Sequence, residues 1–138
     1  MKLTSATPKP LLLAFLVVCA QGTAPGADAD FDYGRAADMR GTKTIYIDTS
    51  LDLNIRNDLA DRIEKATLLR AVTKDESPDL MLAWTSRDQN CGDAGVIRLR
   101  PAKRPLLVFQ WKDCGKRFVP ATFLFVRKFA AAFNEVNK

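Results

Sequence analysis

Histidine is absent from all 138 residues. That gap removes Ser–His–Asp and Cys–His nucleophile systems and nearly all catalytic zinc sites, because each depends on an imidazole to move a proton or bind the metal. Cysteine is scarce, at Cys19, Cys91 and Cys114. Two thiols without histidine do not make a usual zinc centre, so neither a metal nor another cofactor is expected. Long apolar runs are missing beyond the amino terminus, since Arg127 and Lys128 interrupt the apolar carboxy-terminal segment. No internal repeat, low-complexity tract, catalytic motif or cofactor motif stands out.

What is present begins with a leader. Lys2 and Lys9 precede the apolar run 11–18, with no acidic residue among the first twenty. A run of about eight is too short to span a bilayer as a helix. Val18-Cys19-Ala20 then offers a small residue at −1 and an apolar one at −3, the pattern of a secretory signal cut after Ala20. A second cut is available after Ala29. The competing readings are an uncleaved anchor, a buried core segment, or lipidation at Cys19, against which Val18 stands where Gly, Ala or Ser is usual. The expected organisation is a signal over 1–20, a linker or loosely docked segment over 21–42, and a single domain over 43–138. The location expected is periplasmic or secreted.

Hydrophobic residues make up 47% of the chain, which argues against disorder, and the length after the leader suits one domain with a real core. Charge is unevenly spread. Residues 21–97 carry 9 basic against 14 acidic residues, while 98–138 carry 10 against 2. With Cys19 in the leader, Cys91 and Cys114 remain as an even pair in an oxidising compartment and are expected to form a disulfide. Two free thiols in a reducing compartment is the alternative.

Residue patterns place the elements. Thr44-Ile45-Tyr46-Ile47 is β-branched and aromatic, a strand. Asn54 reads as a helix N-cap, and Ile55, Leu59, Ile63 and Ala66 follow at helical spacing, with Asp58–Arg62 and Asp61–Lys65 as i,i+4 pairs on the opposite face. Leu68 to Thr73 is a second strand, followed by a break over 74–79. The continuous apolar run Leu80–Trp84 reads as a strand buried on both faces. Residues 88–95 read as a loop, and Val96–Arg100 and Leu106–Lys112 as two further strands around a turn framed by Pro101 and Pro105. Pro120 opens a closing helix with Ala121, Phe125, Phe129, Ala132, Phe133 and Val136 along one face. The order β-α-β-β-β-β-α predicts an α/β (α+β) fold with a mixed four- to five-stranded sheet. Both helices should pack on one face.

Lys43-Thr44-Ile45-Tyr46-Ile47-Asp48, Ile55-Arg56-Asn57-Asp58-Leu59 and Ser77-Pro78-Asp79-Leu80-Met81-Leu82-Ala83 together resemble small bacterial envelope domains of the type found at the amino terminus of TolB, and related domains of unknown function. The resemblance covers roughly residues 43–86 and is one of pattern. It implies a periplasmic or secreted location and a role in interaction rather than catalysis, and it transfers no functional residue.

Asp48 and Asp52 flank the end of the first strand, where α/β folds often place ligands, and Asp75, Glu76 and Asp79 lie in the break. Paired carboxylates of this kind could serve a small hydrolase, while turn formation, capping and solvation account for the same residues without catalysis. The 88–95 segment has calcium-ligand residue types, but its order departs from the D-x-[DN]-x-[DN]-G pattern, and a disulfide-anchored hairpin is the simpler account. Arg98, Arg100, Lys103 and Arg104, continued by Lys112, Lys116 and Arg117, form a basic stretch. It could contact an anionic envelope polymer such as lipopolysaccharide, or anionic lipid, if Arg98 and Arg100 share one strand face; an ordinary solvated or edge-protecting charge is the alternative. Nucleic acid is not an expected partner. The reading is a non-catalytic exported interaction module whose partner is another envelope protein or such a polymer.

Overall fold

A computed structural model describes residues 31–49, 52–88 and 90–138. The expected signal segment, Cys19 and both expected cleavage positions lie outside the described residues. From Asp32 to Lys138 the chain forms one compact unit. Its elements are β1 (Asp32–Tyr33), a 3-10 turn (Ala36–Met39), β2 (Thr44–Asp48), α1 (Leu53–Ala66), β3 (Arg70–Ala71), a second 3-10 turn (Lys74–Glu76), β4 (Leu80–Asp88), β5 (Cys91–Arg98), β6 (Leu106–Cys114) and α2 (Ala121–Val136).

The strands form one mixed sheet in the order β1-β6-β5-β4-β2-β3. β2 lies parallel to both β3 and β4, as a strand–helix–strand crossover requires. From β4 onward the links are short and the strands antiparallel. Six strands are present rather than four or five because β1 adds to the edge, parallel to β6. Residues 32–42 therefore belong to the body, not to a linker. Their composition hides this: Met39, in a segment with little periodicity, is fully buried in the core.

One core holds the unit together, shared by both helices and one face of the sheet. Ile45 and Ile47 of β2, Leu80, Leu82 and Trp84 of β4, and Val96 of β5 meet Leu59 and Ile63 of α1 and Phe125, Phe129 and Phe133 of α2. The Phe stripe stacks along its helix, with Phe125 and Phe129 rings 5.6 Å apart, and Phe109 of β6 sets its ring edge-on to both. Each such side chain contributes about 1.5–3 kcal/mol by burial. The helices run parallel: Thr122 Oγ1 donates to Asp58 Oδ2 at 2.6 Å near their starts, and Asn134 Nδ2 donates to the Ala66 carbonyl at 3.0 Å near their ends.

Four local expectations are corrected. α1 is capped by Asp52, whose Oδ1 accepts from the backbone N–H of Asn54 and Ile55 at 2.9 and 3.2 Å, so Asn54 lies inside the helix. The second strand shrinks to Arg70–Ala71, leaving Leu68 95% exposed. β4 buries one face only; Met81 and Ala83 alternate with the core residues and are half-buried beside Ile97 and Gly95 of β5. The expected loop 88–95 is mostly strand, because β5 pairs with β4 on one side and β6 on the other, and that pairing outweighs the weak strand preference of Gly and Asp. Gly92 has a further reason to be glycine: a Cβ there would come within 2.3 Å of the Trp84 ring.

Candidate functional site

At the end of the sheet where β4 terminates and both helices begin, a cleft of about 290 Å³ opens. Asn54, Ile55 and Asp58 of α1 form one wall, Trp84 and Ser86 the floor, and Asn90, Pro120 and Thr122 the other wall. Sheets with parallel strands commonly place ligands at this end, outside the carboxyl ends of their strands. Sequence reasoning missed this group. Its residues come from distant parts of the chain: Thr122 is brought to Asp58 by the parallel packing of α1 and α2, and Asn90 is brought to the start of α2 by its bond from the Ala121 N–H.

The polar groups of the cleft hold one another. Asp58 accepts a two-pronged bond from Arg62 Nε at 2.9 and 3.0 Å, and its Oδ2 also takes the Thr122 hydroxyl. Trp84 Nε1 donates to Ser86 Oγ at 3.1 Å. Asn90 Oδ1 accepts from the Ala121 N–H at 3.1 Å, satisfying one of the free donors at the start of α2. Cys91 is bonded to Cys114, the cross-strand pair that opens β5 and closes β6.

Three of the five carboxylates singled out in the sequence, Asp52, Glu76 and Asp79, are similarly engaged, while Asp75 is exposed in the second 3-10 turn. Asp52 caps α1. Asp79 Oδ2 accepts from the N–H groups of Lys43 and Thr44 at 2.8 and 3.3 Å, tying the start of β2 to the approach of β4. Glu76 Oε2 accepts from Thr73 N–H at 2.9 Å and Thr73 Oγ1 at 3.0 Å, and these bonds, the backbone one first, hold its carboxyl below the ordinary glutamate range, with Arg70 adding to the effect. Asp48 is exposed at the end of β2, beside Asp52 in a separate shallow hollow. In the 88–95 segment Asp93 pairs with Arg87 at 3.1 Å on the sheet, and among the described residues no group of three or more acidic or cysteine side chains is arranged to hold a metal ion.

The basic residues part company. Arg98 ends β5 and Arg100 lies beyond it, so the two do not alternate along a strand. Arg98 Nη1 donates to the Asp38 carbonyl at 2.6 Å, fastening the first 3-10 turn to the sheet. Arg100 Nε donates to the Arg104 carbonyl at 2.9 Å, and both Arg100 and Arg104 pair with Asp32 of β1, at 3.5 and 3.3 Å. Lys103 is exposed in the turn between them. Lys116 and Arg117 are exposed elsewhere, in the link from β6 to α2.

No family model matches the chain, and no curated protein matches it. Among solved structures it has a partial similarity to the solution NMR structure of uncharacterized lipoprotein B from Nitrosomonas europaea, at 12% identity over 75% of this chain and 82% of that one, with a TM-score of 0.36. A likeness of that size carries no inference about the site, which is read from its own residues.

Proposed function

We propose that this chain is an exported, non-catalytic module that binds another component of the cell envelope or extracellular space, with the cleft between the helix starts as a ligand seat. One observation carries the reading. Asp58, the acid lining the cleft, has both oxygens engaged by Arg62 and one also by Thr122, so a proton transfer through it would cost helix packing as well as chemistry. Ser86, the hydroxyl on the floor, is bonded to the indole of Trp84, and the chain has no histidine to activate it. A cleft whose polar groups are fixed in this way is preorganised for recognition. The Cys91–Cys114 bond supports work outside the cytoplasm, where such bonds persist.

The test uses the full chain, expressed with its leader in a bacterium and fractionated after thiol blocking. The processed chain with Cys91 and Cys114 unlabelled in an exported fraction is the expected result; the intact chain in the cytosol with both thiols labelled overturns it. Trp84 lines the cleft and stacks on Trp111, with ring centroids 5.8 Å apart, so intrinsic fluorescence reports occupancy. Titration with soluble peptidoglycan and lipopolysaccharide fragments should give a saturable change that Asn54→Phe, filling the cleft from an exposed position, removes. Turnover of any fragment by the wild type, lost on Asp58→Asn, would refute the non-catalytic reading.

A further inference from the structure

The turn between β6 and α2 carries a feature that neither the core nor the cleft explains. Phe118 has a backbone φ of 65°, in the left-handed region that glycine adopts freely and a bulky side chain resists. Among the described residues two other non-glycine residues share this conformation, Ser77 and Ala102, and both are small. The Phe118 side chain is 90% exposed, so no packing offsets the unfavourable backbone. Its recorded ring neighbour is the Arg117 guanidinium, 5.1 Å from the ring centre.

The base of this turn is firmly mounted. Lys116 and Val119 exchange both backbone hydrogen bonds, at 2.8 and 2.7 Å. Gly115 N–H donates to the Asn90 carbonyl at 2.6 Å, and a Cβ on Gly115 would collide with the Asn90 side chain and the Val119 carbonyl. Asn90 in turn holds the first N–H of α2, and the preceding residue, Cys114, is bonded to Cys91. A rigid base thus presents an aromatic ring that the local backbone would rather not carry. Strain of this kind, retained without a packing reason, is a mark of function.

We propose that the Lys116–Val119 turn is a membrane-docking tip that seats the Phe118 ring at the headgroup–acyl boundary of an anionic bilayer. Charge selects this occupant. Lys116 and Arg117 flank the ring, both exposed, and among the described residues no carboxylate pairs with either. A protein pocket deep enough to bury the ring would strip water from those cations, whereas a bilayer interface takes the ring inward and leaves the cations among anionic headgroups. The mount lowers the ordering cost of binding, since the turn is already in its final shape. The tip shares its Asn90 support with the cleft, but Lys116, Arg117 and Phe118 are not part of the cleft lining.

The experiment is co-sedimentation of the full chain, in the form purified after export, with vesicles of phosphatidylglycerol and phosphatidylcholine or of phosphatidylcholine alone. Wild type should bind the anionic vesicles, more weakly as salt is raised. Phe118→Gly should lower that affinity by about ten- to hundredfold, the value of burying one phenylalanine, and Arg117→Ser by about fivefold. Phe118→Gly should also raise the thermal midpoint, because glycine relieves the backbone; a residue with a structural role would lower it. Equal binding to both vesicle types, or unchanged anionic binding in Phe118→Gly, overturns the proposal. So does a soluble protein that binds wild type but not Phe118→Gly while no vesicle is bound, which would assign the tip to a protein partner.

Discussion

Two basic turns, after β5 and after β6, show how little a run of positive charge says about its use. The first, together with Arg98 at the end of β5, carries Arg100, Lys103 and Arg104, the densest basic cluster in the chain. Three of those four side chains point back into the molecule, onto the Asp38 and Arg104 carbonyls and the Asp32 carboxylate. The second contains Lys116 and Arg117, less conspicuous in the sequence, and both face solvent beside an exposed aromatic ring. The first turn spends its charge on holding the amino-terminal segment, because the last described residues before β2 have few apolar groups of their own to bury. The second has a disulfide and a paired turn beneath it and needs no charge to hold its shape. Its cations are available for something outside the protein.

Substitutions can break or sharpen that contrast. The largest effect is expected at Arg98. Arg98→Glu removes a charge-assisted bond and sets a carboxylate against the Asp38 carbonyl, and should cost about 2–3 kcal/mol in denaturant unfolding. A loss no larger than that of a surface substitution would show that the 3-10 turn does not depend on it. Asp32→Asn loosens β1 from Arg100 and Arg104. Those pairs are half-exposed, so a decrease of about 0.5–1 kcal/mol is expected, with faster amide exchange confined to the β1–β6 edge. At the second turn, Lys116→Ser combined with Arg117→Ser should leave stability within about 0.5 kcal/mol of wild type while weakening anionic-vesicle binding. If that double change unfolds the protein, the two turns are alike after all.

The smallest effect concerns pH. Glu76 is held below its usual range by the bonds from Thr73, so its contribution is full near neutrality and is lost as pH falls through its folded value. Glu76→Gln should lower stability slightly near neutrality, where the charged form contributes, and flatten that part of the acid limb so that the two proteins converge at low pH; an unaltered acid limb would show the capping bonds to be without weight.

Much of the architecture was legible from local pattern. The 3.6-residue recurrence of Ile55, Leu59 and Ile63, and of Phe125, Phe129 and Phe133, identifies both helices and the faces they bury. Thr44–Ile47 and Leu80–Trp84 read as strands, and the even pair of later cysteines matches the bond that joins β5 to β6. The errors fell where local preference and long-range pairing disagree. Gly92, Asp93 and Gly95 look like a loop until two neighbouring strands satisfy their backbone. Residues 32–42 look like a linker until Met39 is seen in the core. The cleft was not legible at all, since its walls come from α1, the β4–β5 turn and the start of α2.

Taken alone, then, the order of residues determined which segments would be helix or strand and which of their faces would be apolar. These are consequences of periods of 3.6 and 2 that a chain carries with it. Tertiary structure alone decided which charges were consumed and which were left over. A guanidinium reaches any acceptor within a few ångströms, and whether Asp38 lies within reach of Arg98, or no carboxylate among the described residues pairs with Arg117, depends on how segments up to 60 residues apart come to rest.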